Sequence, residues 1–189
     1  VGAGQTDEGS LSVPINYPTN WGNKLRFDAD YENALGVYRR FRTDAVTGKV
    51  YVGFVIRPDA GAGKYCGAEL KTSGDRSIAF IGDRGGADTL GLELKDGSGY
   101  SVNSAYDPSS GNDHTVIARY DFATRQLVLQ GYYKTDTIPL TEPSNWGCTG
   151  TVAAGWATNV GMFTITCGSW GGTGVNPGNM YYDEIRIAK

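Results

Sequence analysis

The chain has 189 residues, with 17 Lys and Arg against 20 Asp and Glu, a formal net charge of −3. That length is one domain with enough residues to bury a two-layer core. Charge scattered in near balance leaves no footprint for nucleic acid, and the lack of any long apolar run excludes a membrane-spanning helix. In chain order, period-two alternation predicts strands over 10–15, 24–28, 35–42, 50–57, 65–71, 77–81 and 90–94, then 100–103, 115–120, 127–133, 151–156, 161–166 and 180–187. Turn clusters stand between them, such as Thr72-Ser73-Gly74-Asp75, Asp96-Gly97-Ser98-Gly99 and Asn176-Pro177-Gly178-Asn179. The 28 glycines, about twice the usual share, fall in these punctuating positions. No eleven-residue window keeps a 3.6-residue period. Residues 121–125 fit a helical turn or a hairpin bend. The expected fold is all-β, an antiparallel two-sheet β-sandwich spanning 1–189 as a single domain, with residues 1–8 the segment expected to be flexible.

Counting narrows the chemistry. With one histidine, His114, a multi-histidine zinc site is excluded. His114 itself reads as a polar residue at a strand entrance. The three cysteines, Cys66, Cys148 and Cys167, are too widely spaced for a metal knuckle. Cys148 and Cys167 flank a segment that reads as two strands joined at Thr158-Asn159, so a disulfide between them is expected, with Cys66 left as a small buried hydrophobe. Three buried thiols is the alternative. The segment Gly82-Asp83-Arg84-Gly85-Gly86 lacks the ending and following helix of a phosphate loop; Arg84 remains a candidate ligand contact. Val1-Gly2-Ala3-Gly4 shows no signal-peptide pattern, while a composition rich in Gly, Ser, Thr, Asn and Tyr suits a secreted bacterial protein.

Three stretches resemble laminin-G-like domains. His114-Thr115-Val116, Tyr120-Asp121 and Leu127-Val128-Leu129 are similar to a hairpin of those domains, and Asp183-Glu184-Ile185-Arg186-Ile187 to their final strand. Val50-Tyr51-Val52-Gly53-Phe54-Val55-Ile56-Arg57 resembles a strand of laminin-G-like domains in large secreted bacterial proteins. Together with Ser10-Leu11-Ser12 and Gly22-Asn23-Lys24-Leu25, the matches run in the right order over most of the chain. The resemblance implies a concanavalin A-like jelly roll, a fold often used to bind glycans. It also implies a structural Ca2+, with Asp183 as a final-strand ligand and Asp28, Asp30 or Glu32 as early acidic partners; Asp28 is the preferred one. Asp183 as a strand residue without metal is the alternative.

Enzymes share this superfamily, so the residues were read for their chemistry. The Glu-x-Asp-x-x-Glu strand of its retaining glycosidases is absent. Adjacent Asp183 and Glu184 point to opposite faces and cannot form a facing pair. Glu69 and Glu93 both turn outward by alternation, and would meet if their strands were neighbours. Lyase chemistry has only a vague echo in Tyr38-Arg39-Arg40-Phe41-Arg42 and Gln130-Gly131-Tyr132-Tyr133-Lys134. Sugar binding needs an exposed indole or phenol ring with polar groups around it. Trp170, between glycines, and Trp146, in Ser144-Asn145-Trp146-Gly147, are candidate platforms. Trp21 has a similar polar context, Trp156 reads as core packing, and of Tyr132 and Tyr133 one must face outward, making Tyr133 a further candidate.

The expected function is a non-catalytic carbohydrate-binding or adhesion module of a secreted or cell-surface protein. Its partner would be a polysaccharide or other glycan, with no nucleic acid and no membrane insertion, and the chain would be a monomer or part of a larger multidomain protein. A jelly-roll polysaccharide-degrading enzyme, hydrolase or lyase, is the alternative.

Overall fold

A computed structural model describes residues 5–7, 24–27, 35–40, 48–58, 64–83, 89–103, 106, 111–169 and 180–188. Among these, thirteen strands are present: β1 (Gln5–Asp7), β2 (Lys24–Phe27), β3 (Leu35–Arg40), β4 (Lys49–Pro58), β5 (Lys64–Lys71), β6 (Ser77–Asp83) and β7 (Leu90–Leu94). They continue as β8 (Gly99–Asn103), β9 (His114–Asp121), β10 (Gln126–Tyr133), β11 (Cys148–Thr151), β12 (Met162–Ser169) and β13 (Met180–Ala188). No helix among the described residues is long and apolar enough to cross a membrane.

The strands form two antiparallel sheets. One has seven strands in the order β1-β2-β13-β4-β9-β10-β11, the other six in the order β3-β12-β5-β6-β7-β8. Their inner faces bury the apolar half of each alternation. From β4 come Val50, Val52, Phe54 and Ile56, from β9 Val116, Ala118 and Tyr120, and from β5 Cys66, Ala68 and Leu70, all at most 1% exposed. The Phe54 ring meets Phe163 of the opposite sheet at 6.2 Å between centroids. A buried hydrogen bond also crosses the layers, from the Tyr182 hydroxyl on β13 to the Thr166 carbonyl on β12 (2.7 Å).

Most sequence-predicted strands stand within two residues of their expected limits. The 121–125 segment is the hairpin bend between β9 and β10: the Asp121 carboxylate accepts from Ala123 N at 2.9 Å, and Arg125 takes φ 59° to close the turn. Gln5–Asp7, within the segment expected to be flexible, is placed as a strand paired with β2. The predicted strand 10–15 lies outside the described residues. One expectation changes: the strand expected at 151–156 is instead β11, three residues earlier, followed by a turn at 154–156.

That last shift overturns the expected disulfide. β11 pairs with β10 in the seven-stranded sheet, whereas β12 lies between β3 and β5 in the other. Cys148 and Cys167 therefore do not end a common hairpin, and Cys148 is a free thiol. Its sulfur lies 3.9 Å from the Leu90 carbonyl, and burial pushes the thiol up to about 11.

Strand β13 bridges β2 and β4 through Met180–Phe27 and Tyr182–Leu25 on one side and Tyr182–Ile56 on the other. An irregularity between Asp183 and Arg186 resets its phase. Ile185 falls inside this irregularity, without a register partner, and is 40% exposed, whereas Met180 and Tyr182 are buried (1% and 0%) and Ile187 packs against the core. Ending the chain before Met180 is thus expected to abolish cooperative unfolding. Tyr182→Ala is expected to cost about 3–5 kcal/mol, as for other large buried rings, whereas Ile185→Ala should shift stability by less than about 1 kcal/mol. Urea denaturation of the three chains checks the ranking, and equal midpoints for Tyr182→Ala and Ile185→Ala would contradict it.

Candidate functional site

Alternation in β9 places Thr115, Ile117 and Arg119 on the face opposite Val116, Ala118 and Tyr120. Registers carry that outer row across four strands: Tyr51 of β4 opposes Arg119 of β9, Arg119 opposes Val128 of β10, and Val128 opposes Thr149 of β11. The segment that follows β10 returns over this face. Gly147 N donates to Gln130 Oε1 at 2.8 Å, anchoring its end. Between sheet and segment lies an open pocket of about 400 Å³ lined by Arg119, Gln126, Glu142, Asn145, Trp146 and Thr149, among others.

Four polar side chains of the pocket, Arg119, Gln126, Glu142 and Thr149, are tied into one network. Arg119 Nη1 donates to Glu142 Oε2 at 2.5 Å and its Nη2 to Gln126 Oε1 at 3.2 Å. Gln126 Nε2 reaches Thr149 Oγ1 at 3.4 Å. Glu142 also accepts from the Tyr51 hydroxyl and pairs with Lys49 Nζ at 3.2 Å. The Arg119 guanidinium lies 5.6 Å from the centre of the half-buried Trp146 ring, a cation–π distance. The hydrogen bond from Tyr51 holds the Glu142 carboxyl below its ordinary value, helped by Lys49 and Arg119 against partial desolvation. The same bond, with burial, raises the Tyr51 phenol. The result is an indole beside amide, guanidinium and carboxylate groups, which suits a ligand with an apolar face and vicinal hydroxyls.

Of the sequence-predicted ligand residues, Trp146 is in this pocket. Tyr133 is not: its ring sits against His114 (4.8 Å) and Tyr106 (5.1 Å) on the inner side of the seven-stranded sheet, and Tyr132 takes the outer position yet is only 7% exposed. Trp170, Arg84 and Trp21 lie outside the described residues. Trp156 packs against the core as expected of it, its Nε1 donating to Ser77 O at 2.9 Å while Arg76 covers the ring. Arg119, Gln126 and Glu142 were missed by motif reading. The available signal was an arginine and a glutamine at outward positions of a predicted hairpin, followed by a Pro-Ser-Asn-Trp-Gly loop.

The alternative carboxylate pair does not form. Glu69 and Glu93 do share the outer face of the six-stranded sheet, but β6 separates their strands: Glu69 opposes Phe80, and Phe80 opposes Glu93. Two strand spacings put the backbones about 9.5 Å apart, against the 5–5.5 Å between carboxyls of a retaining pair. Each carboxylate is also engaged by a lysine two residues on, Glu69 by Lys71 at 3.5 Å and Glu93 by Lys95 at 3.1 Å. For the expected calcium, Asp183 is 7% exposed at a position opposite Val55. Asp28, Asp30 and Glu32 lie outside the described residues, and among those described no three His, Cys, Asp or Glu side chains converge as a metal site would require.

No protein-family model matches the sequence, and no curated protein does. Solved structures share the architecture. A tetrameric galectin from the ball sponge Cinachyrella sp. superposes with a TM-score of 0.53 at 12% identity, over 82% of this chain and 100% of the galectin. Domains LG4-5 of the mouse laminin α1 chain give 0.53 at 14% identity, over 96% of this chain and 46% of that one. A xylan β-1,4-xylosidase from Bacillus halodurans C-125 gives 0.54 at 13% identity, over 88% and 33%. The chain therefore has the concanavalin A-like fold common to lectins, laminin-G-like domains and glycoside hydrolases. Function resides in the site, not in that fold.

Because the Glu142 carboxyl is depressed by its partners, its tie to the sheet contributes stability above the ordinary value of 4.5 and loses it as pH falls through the lower folded value. The melting temperature of the wild type should therefore exceed that of Glu142→Gln at pH 7, with the gap closing below pH 4.5. A gap that is constant with pH contradicts the role given to this carboxylate.

Proposed function

We propose that this chain is a non-catalytic carbohydrate-binding module and that its glycan occupies the pocket of Arg119, Gln126, Glu142, Asn145 and Trp146. The observation that carries this reading is the combination of an indole with a prearranged amide–guanidinium–carboxylate network on one outer sheet face. A pyranose places its C–H face on the ring, while its hydroxyls exchange hydrogen bonds with Gln126, Glu142 and Asn145. Groups already held in place by their neighbours lose little freedom on binding, which favours affinity from a small contact area. The pocket is open to solvent along the sheet, which suits an internal segment of a polysaccharide rather than an enclosed small molecule.

The test is retention of the full chain on a panel of insoluble polysaccharides, with reducing ends and unsaturated-uronate absorbance followed in the same tubes. Retention without product is expected for at least one glycan. Trp146→Ala should weaken it about 10- to 100-fold, an effect of about 1–3 kcal/mol, and Gln126→Ala by a smaller factor. The melting temperature of Trp146→Ala should stay within a few degrees of wild type. Product formation lost in Glu69→Gln or Glu93→Gln selects the enzyme reading instead, and retention untouched by Trp146→Ala moves the site elsewhere.

A further inference from the structure

The cysteine pairing expected from sequence fails, yet the registers bring another pair together. Strand β12 is aligned on β5 so that Cys167 is the Cα partner of Cys66, with Ile165 opposite Ala68 and Phe163 opposite Leu70. Cys66 stands at a core position with no solvent exposure. In an antiparallel ladder directly opposed residues alternate between hydrogen-bonded and non-hydrogen-bonded pairs, and only the second kind brings the side chains close.

Which kind this pair is follows from the neighbouring strands. Lys95 N donates to Ile78 O at 3.0 Å, one step beyond the Ala79–Leu94 pair. Counting by twos, Phe80–Glu93 and Gly82–Gly91 are the hydrogen-bonded pairs between β6 and β7. A residue that bonds one neighbour in this way turns its non-bonded side to the other, so Gly82–Gly67 is a close, non-bonded pair. The backbone agrees: a Cβ on Gly82 would stand 2.6 Å from the Gly67 Cα, an approach that only glycines permit. Asp83–Cys66 is then hydrogen-bonded between β6 and β5, and Cys66 shows its non-bonded side to Cys167 on β12. Such a pair has Cα atoms about 4.5 Å apart, within the roughly 4.4–6.8 Å span of disulfides.

We propose that Cys66 and Cys167 are a cross-strand disulfide site that stitches β5 to β12 when the chain meets a small-molecule disulfide such as glutathione disulfide. During folding one cysteine thiolate attacks a sulfur of the oxidant and releases one glutathione. The second cysteine then attacks the protein sulfur of the mixed disulfide, closing the cross-link and releasing the second glutathione. Two electrons pass to the oxidant, and the two cysteine protons end on the two glutathiones. Cys148 stays a thiol because it is in the other sheet, away from both. The bond closes a loop across most of the chain, the situation in which a disulfide stabilises most.

The experiment refolds the full chain in a glutathione redox buffer, then alkylates it in denaturant without reductant and maps the peptides by mass spectrometry. The expected product has one alkylated cysteine out of three, Cys148, and an intact mass lower by two hydrogens before alkylation. A linked peptide should join the segments bearing Cys66 and Cys167. Reductant should lower the melting temperature on the order of 10 °C, and Cys148→Ala should keep both the cross-link and this shift. Three alkylated cysteines after refolding, or a linkage that includes Cys148 or a second chain, overturns the proposal.

Discussion

Strand β4 is held on both edges, by β13 over most of its length and by β9 in unbroken register from Lys49 to Ile56. Its inner row of Val50, Val52, Phe54 and Ile56 is at most 1% exposed. A one-residue slip would exchange that row for Tyr51, Gly53, Val55 and Arg57, placing a guanidinium and a phenol in the core. The cost of that exchange locks the phase of β4, and β4 locks its neighbours. Through β13 it positions Tyr182 to bond Thr166 across the layers, and through β9 it sets which side of β10 and β11 looks outward.

The pocket is a consequence of the same phase. With Val116, Ala118 and Tyr120 committed to the core, Arg119 has no choice but the outer face, where it is only 8% exposed because the segment carrying Glu142 and Trp146 lies over it. A nearly buried guanidinium needs partners, and its two terminal nitrogens have them in Glu142 and Gln126, while Nε has none among the described residues. The charge network thereby serves two ends: it fastens a long connection to the sheet, and it leaves the Trp146 ring and the pocket's polar groups in fixed relative positions.

Strand order, not alternation, keeps the outward carboxylates Glu69 and Glu93 of the six-stranded sheet apart. Glu69 and Glu93 share a face and a row, as their spacing within each strand predicts, but the row between them belongs to Phe80. Alternation tells which face a residue takes. It carries no information on how many strands separate it from another, and a carboxylate pair depends on that number.

The sequence by itself determined the class of fold and most of its strands, because burial of alternate residues is a local pattern that survives without tertiary information. The resemblance of 50–57, 114–129 and 183–187 to laminin-G-like strands pointed to the concanavalin A-like architecture for the same reason. Trp146 was legible as an aromatic in a polar turn. Only the tertiary structure decided strand order, and with it everything that depends on which strand lies beside which. It moved Cys148 to the sheet away from Cys167 and set Cys66 opposite Cys167 instead. It left Ile185 exposed inside an irregularity of β13 and turned Ile187 toward the core by the same one-residue shift, which leaves no mark in the alternation. It also joined Arg119 to Glu142, 23 residues apart, since a contact between a strand and a returning connection is set by the path of the chain in space and leaves no periodic trace along it.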